Sequence, residues 1–321
     1  MIPHSDLIAA IPSVLSSLDL AAFGQQTHGK VREMVLLSSG ERLLVTTDRI
    51  SAFDVVLGAI PYKGQVLNQL SAWWFEKTAD IVPNHVLAVP DENAMLAKEA
   101  KPLPIEIVVR GYLTGSTKTS LWTLYNKGIR DAYGFTLPTG LEKNAVLPKP
   151  IITPTTKAEL GGHDEQITKQ QILERGLVSP QLWAEIEQAA LALFARGQAL
   201  ALERGLILVD TKYEFGTIGN QLVLIDELHT PDSSRYWTFA SYQADQANPH
   251  SIDKEFLRLW FNARGYNGDG TPPVMPPEFI AEVAARYISA YEQITGLEFV
   301  PATQPAESRL LEQLKKYFAE D

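Results

Sequence analysis

The sequence contains no cysteine. That absence excludes disulfides, thiolate metal sites and a cysteine nucleophile. Apolar runs of the roughly 20 residues needed for a membrane span are missing as well. The opening stretch, MIPHSDLIAAIPSVLSSLDL, lacks the basic n-region of a secretory signal and is interrupted by prolines. A soluble, cytoplasmic protein is therefore expected. Excess positive charge is missing too: 28 Lys and Arg stand against 38 Asp and Glu, a net charge of −10. This argues against nucleic acid or a membrane surface as a partner, but not against small phosphorylated ligands, which require only a local basic pocket. Several motifs are absent: the P-loop string, a Rossmann fingerprint, zinc spacing of the HExxH type and a Gly-x-Ser-x-Gly elbow.

What is present is an ordinary globular composition, 45% hydrophobic and 21% charged, over 321 residues. That length exceeds what one core usually serves and predicts two lobes with a cleft between them. After a short leading helix, Lys30 to Leu37 and Arg42 to Thr47 read as a hairpin around a Ser38–Glu41 turn. Tyr62 to Ala79 has helical spacing, and Ile105 to Val109 reads as a short strand after Pro102 and Pro104. The lobe boundary is placed at this proline-bracketed stretch, giving residues 1–104 and 105–321. Pro138 to Gly162 reads as a long ordered loop. Thr168 and Gln171 fit a capping box, stapled by Ile167 and Ile172. Ser179-Pro180 opens a helix that Gly205 can end. Glu278 to Thr295 is a further helix. Strands and helices mix without a βαβ beat, so the predicted class is α+β.

The most informative segment is Leu206 to Phe215, followed by a turn at Gly216 to Asn220 and a second strand, Gln221 to Glu227. Strand residues alternate faces. Ile207, Val209, Tyr213 and Phe215 share one face, whereas Asp210, Lys212 and Glu214 share the other. The second strand likewise runs from apolar residues to Asp226 and Glu227, and antiparallel pairing returns Asp226 toward the first strand's charges. Carboxylates beside one lysine suit a magnesium-nucleotide site, because magnesium takes hard oxygen ligands and lysine contacts phosphate as a point charge. A solvated edge hairpin shows the same pattern, and these residues alone do not choose between the two. Other candidates are Lys30 and Arg32 beside Gly29, Arg110 and Ser116 around two glycines, Arg235 beside Ser234, Asp54, and His163 with Asp164. Small-molecule kinases and nucleotide-binding regulators remain rivals on this evidence.

Taken in order, Gly29-Lys-Val-Arg32, Asp48-Arg-Ile-Ser-Ala-Phe-Asp54, Val109-Arg-Gly-Tyr-Leu-Thr-Gly-Ser116, His163-Asp-Glu165, Val209-Asp-Thr-Lys-Tyr-Glu-Phe-Gly216 and Asp226-Glu-Leu-His-Thr-Pro-Asp-Ser-Ser-Arg235 resemble the phosphoribosylaminoimidazole-succinocarboxamide (SAICAR) synthetase family. The length resembles its long form. Glu33 and Val35 depart from the more usual Asp and Tyr. The resemblance implies a kinase-like, β-rich N-terminal lobe over an ATP-grasp-like lobe with extra C-terminal helices. It implies ATP and Mg2+ as cofactors, and ligation of an imidazole carboxylate ribonucleotide to L-aspartate through an acyl phosphate. A monomer is compatible with the long form. The implied roles follow. Lys30 and Arg32 cover the ATP phosphates, and the backbone from Pro102 to Ile105, including Leu103, holds adenine. Glu214 and Asp226 hold magnesium, with Lys212 at the nucleotide or the transferring phosphoryl. Arg110, Ser116, Ser234 and Arg235 grip the ribonucleotide, with Asp210 near its amino or hydroxyl groups. Asp54, His163 and Asp164 serve a second magnesium or the aspartate.

Overall fold

The computed structural model describes residues 2–116, 120–157 and 165–319. The chain opens with α1 (His4–Ala10) and builds a five-stranded sheet in the order β1-β2-β3-β7-β6. Its strands are β1 (Gly24–His28), β2 (Arg32–Leu37), β3 (Glu41–Thr46), β6 (Val86–Asp91) and β7 (Ala94–Lys98). A separate ladder, β4 (Arg49–Ala52) with β5 (Val55–Ala59), leads into α2 (Lys63–Lys77). The expected hairpin is β2–β3, and the strand β1 that precedes it carries mostly polar residues with no apolar alternation to announce it.

The second sheet runs β11-β8-β13-β14, with β12 also on β8 and β15 also on β13. Its members are β8 (Lys101–Tyr112), β11 (Val146–Ile152), β12 (Thr155–Thr156), β13 (Leu206–Ile218), β14 (Gln221–Ile225) and β15 (Ser234–Thr238). Strand β8 starts at Lys101 rather than Ile105. Pro102 sits at register with Gly216 beside a bulge, where a missing donor is tolerated. The segment read as a loop from Pro138 holds β11 and β12, and its residues 158–162 lie outside the described residues. Between β8 and β11 come α3 (Leu121–Asn126) and the small hairpin β9 (Asp131–Ala132) with β10 (Phe135–Thr136).

The capping box forms as read: Thr168 accepts from the Gln171 backbone and Gln171 from the Thr168 backbone, opening α4 (Lys169–Glu174). Ser179 caps α5 (Pro180–Glu203), which packs across β13. The β13–β14 turn is tighter than expected, only Gly219-Asn220. Gly219 takes φ 61°, as a two-residue hairpin with glycine first requires. Short helices α6 (Phe239–Ala244) and α7 (Glu255–Asn262) lead to α8 (Pro277–Thr295) and α9 (Ala306–Ala319). The named strand pairs are antiparallel, in keeping with α+β. No described helix is long and apolar enough to cross a membrane.

The final helices return to the front of the chain. Helix α8 packs on α1 and α2, and α9 on β6. Leu310 and Leu314 close a core with Leu18, Leu20, Val35 and Leu43 beneath the first sheet. Arg309 grips Asp91 through Nε (2.9 Å) and Nη2 (3.0 Å) and donates to Asn93 at 2.7 Å. Leu310 is fully buried, and truncating such a leucine costs about 2–5 kcal/mol. Leu310→Ala should therefore lower stability by about that much in urea unfolding; a loss under about 1 kcal/mol would show that α9 is not part of the core.

Candidate active site

Strand β13 carries the site. Its register sets Asp210 opposite Arg110 of β8 on one side and Arg235 of β15 on the other. The buried Asp210 accepts from Arg110 Nη1 at 2.9 Å and Arg235 Nη1 at 3.2 Å through the same oxygen, Oδ2. Arg110 Nε also donates to Thr153 Oγ1 at 2.9 Å, and Ser234 Oγ to Thr211 Oγ1 at 2.8 Å. Burial by itself would weaken the Arg235 cation, but Asp210 with Asp253 and Glu255 holds its pKa above the ordinary value. One carboxylate thus orients two guanidiniums.

Two residues on, Lys212 Nζ donates to Glu106 Oε1 and Glu214 Oε1, both at 2.7 Å. Glu214 also meets Lys157. Burial alone would raise the Glu214 pKa, but Lys212 and Lys157 hold it down to about 2. Burial would also favour a neutral Lys212, yet Glu214 and Glu106 keep it well above the ordinary lysine range. Asp226 follows β14 in the left-handed region, φ 68°. It pairs with Arg32 of β2, which also reaches Glu227 at 3.2 Å. These bonds tie the first sheet to the second.

Two cavities flank this strand. One, of about 240 Å³, has Met34, Leu44 and Ile225 as apolar walls and Arg32, Glu214 and Asp226 as charged ones. Pro102 also lines it, whereas Leu103 is half-buried against the core. The other, about 430 Å³, is lined by Ser116, Arg235 and Trp237 among others. Arg235 also lines a small adjoining space of about 90 Å³ with Asp210 and Ser234. Gly115 makes the close approach possible: its φ is 107°, and a Cβ there would lie 2.5 Å from Ser120 Cβ and 3.4 Å from Arg235 Nη1. Ser116 Oγ stands 3.4 Å from Glu255 Oε1.

Lys30 and Asp54 contact each other at 2.7 Å on exposed surface and line none of these three spaces. His163 and Asp164 lie outside the described residues. No group of three His, Cys, Asp or Glu that could hold a metal occurs among the described residues. Glu214 and Asp226 nevertheless face one cavity, and two carboxylates suffice for magnesium when phosphate oxygens and waters complete its shell.

Some site residues escaped the sequence reading. Glu106 and Arg110 alternate on β8 as Asp210, Lys212 and Glu214 do on β13, so the same periodicity could have found Glu106. Lys157 had no pattern to announce it. Neither had the buried cluster in which Asp232 accepts from Lys63 (2.9 Å) and Tyr287 (2.5 Å) and pairs with Lys254 (3.0 Å). This cluster joins α2, the loop after β14, the residue before α7, and α8.

The comparisons decide the family. The SAICAR synthetase family model matches residues 25–273. This chain belongs to the SAICAR synthetase family. It is 50% identical over 303 residues to the phosphoribosylaminoimidazole-succinocarboxamide synthase of Legionella pneumophila (strain Paris), covering 92% of this chain and 96% of that protein. It is 47% identical over 316 residues to the chloroplastic synthase of Arabidopsis thaliana, covering 96% of this chain and 74% of that one. The SAICAR synthase of Saccharomyces cerevisiae, solved complexed with SAICAR, superposes with a TM-score of 0.77 at 35% identity, covering 89% of this chain and 99% of that one.

Within this SAICAR synthetase fold, His229 anchors the loop between Asp226 and Arg235. Its ring is fully buried against Trp74, its Nε2 lies 2.5 Å from Tyr213 Oη, and Tyr236 Oη donates to its carbonyl at 2.7 Å. Burial drives the imidazole pKa down to about 3, whereas an unfolded histidine titrates near pH 6.5. Between those values the unfolded chain binds the extra proton, so stability must fall as pH drops from about 6.5 toward 3. In His229→Gln, whose amide can still pair with Tyr213, this component should vanish. Urea midpoints measured between pH 7 and 5 should then decline less steeply than for the unaltered chain. Identical slopes would contradict the assignment.

Proposed function

We propose that this chain condenses 5-amino-1-(5-phosphoribosyl)imidazole-4-carboxylate with L-aspartate, consuming ATP and giving the succinocarboxamide, ADP and phosphate. One observation carries the reading. A single strand presents Glu214, paired with Lys212, to one cavity and Asp210, paired with Arg110 and Arg235, to the small space adjoining the other. Asp210 and Glu214 are four residues apart, roughly 13 Å along a strand. That spacing suits a nucleotide whose terminal phosphoryl must reach a second substrate next door. Family membership and the SAICAR in the yeast relative's structure support the same substrates.

A carboxylate does not react with an amine until its oxygen becomes a leaving group. In the proposed sequence a carboxylate oxygen of the imidazole attacks the γ-phosphorus of ATP. The bond to the β–γ bridging oxygen breaks and ADP leaves. The aspartate nitrogen then adds to the acyl carbon, phosphate departs, and the nitrogen loses a proton. The protein contributes position and charge rather than a nucleophile. Arg32 and Lys212 neutralise phosphate charge. The segment Lys98 to Pro102 borders the cavity where adenine would lie. Glu214 and Asp226 would hold magnesium, which when bound supplies positive charge at the phosphates. Arg235 and Ser116 hold the ribonucleotide, with Arg110 fixed beside them through Asp210.

An assay of ADP release and amide product, with aspartate omitted in a control, tests the reaction. Aspartate-dependent amide is expected; phosphate release needing no aspartate would instead indicate a kinase. Asp226→Asn should lower turnover about a hundredfold or more, the scale on which one contact to developing charge matters, with its melting temperature little changed. Near-normal turnover in that folded variant would refute the metal assignment.

A further inference from the structure

Several arginines of the fold are held by protein partners. Arg32 holds Asp226 and Glu227, Arg110 holds Asp210 and Thr153, and Arg309 holds Asp91 and Asn93. Arg286 of α8 differs. A guanidinium offers five N–H donors. The bond described for Arg286 is to Glu282 at 3.2 Å, one turn back on the same helix; its Nε is buried with no hydrogen-bond partner among the described residues, while the side chain as a whole stays 32% exposed. The group is nevertheless held in place. Its Cζ lies 3.6 Å from the centroid of the Phe256 ring. Phe256 packs on Phe279 at 5.3 Å, and Phe279 stacks on Trp260 at 4.5 Å. Stacking fixes the plane of a guanidinium while leaving its edge free to donate.

Arg286 and Phe256 both line the cavity of about 430 Å³ that Ser116 and Arg235 also line. The charged groups on that wall are Arg235, Arg286 and Lys143 against Glu255. Such a cavity favours an anion, and a planar fork suits phosphate oxygens taken two at a time. We infer that Arg286 is a binding residue for the anionic, phosphate-bearing ribonucleotide, delivered to the site by the C-terminal helix α8. This rests on the function proposed above and adds a ligand contact from a helix that otherwise packs on α1 and α2 and supplies Tyr287 to Asp232. The competing role is purely structural: the aliphatic stem and guanidinium cover Phe256 and do nothing more.

Steady-state kinetics of Arg286→Met and Arg286→Lys, varying each substrate in turn, separate these roles. Methionine keeps the cover over Phe256 and removes the charge. The wild type must first form amide in the presence of aspartate; if it does not, the proposed reaction fails and not this residue's role. With an active wild type, Arg286→Met should raise KM for the ribonucleotide about tenfold or more, as expected for losing a charge-assisted bidentate contact. The kcat and the KM values for ATP and aspartate should stay within about twofold of wild type. Arg286→Lys, which retains a point charge, should fall between. An unchanged ribonucleotide KM in folded Arg286→Met overturns the inference. So does a rise confined to the KM of aspartate or ATP, or a loss in kcat alone with a lowered melting temperature.

Discussion

Asp210 is the contact on which the rest of the site turns. A buried carboxylate requires partners, and this one has two arginines from different strands on one oxygen. Removing one member of a buried charged set is far more damaging than its net stabilising value suggests, because the remainder is left uncompensated. The same bonds lock β8 and β15 onto β13 beside the cavities that Arg235 lines. Stability and function are thus joined at one residue.

A second layer of charge pairing decides how the two sheets meet. Arg32 bridges from the first sheet to Asp226 and Glu227 on the second. The Lys63–Asp232–Lys254 cluster ties the loop after β14 to α2, the start of α7 and α8, with Tyr287 donating to Asp232. Burial opposes ionisation of Asp232, and the two lysines overcome it, holding its carboxyl well below the usual range. Both sets converge on the loop from Asp226 to Arg235. That loop carries Asp226 in a left-handed conformation at one end and Arg235 in a strand at the other. Its path is fixed by His229, Asp232 and Thr230 rather than by regular secondary structure.

Period-two alternation in Leu206 to Phe215 exposed the central strand, because Asp210, Lys212 and Glu214 break an apolar run on one face only. The capping box at Thr168 and the helix start at Ser179 were legible for an equally local reason: capping is decided within four residues. What could not be read depends on distance. Lys63 opens α2 and finds its carboxylate 169 positions later. Strand β1 is polar because it lies at a sheet edge, and β15 was hidden behind a turn signal at Pro231 to Ser234. Pro102 was read as a boundary, whereas the bulge beside Gly216 lets a strand pass through it. Antiparallel pairing was expected to bring Asp226 among the β13 charges. It does share a cavity with Glu214, but its salt-bridge partner, Arg32, comes from the other sheet.

The central claim is that β13 serves two ligands through two separable sets of charges. Calorimetric titration of Asp210→Asn with ATP and, separately, with the imidazole carboxylate ribonucleotide tests it most directly. The account predicts that ribonucleotide affinity falls at least about tenfold, the scale of a lost charge-assisted network, while ATP affinity stays within about twofold. Equal weakening of both ligands, or weakening of ATP alone, would contradict it.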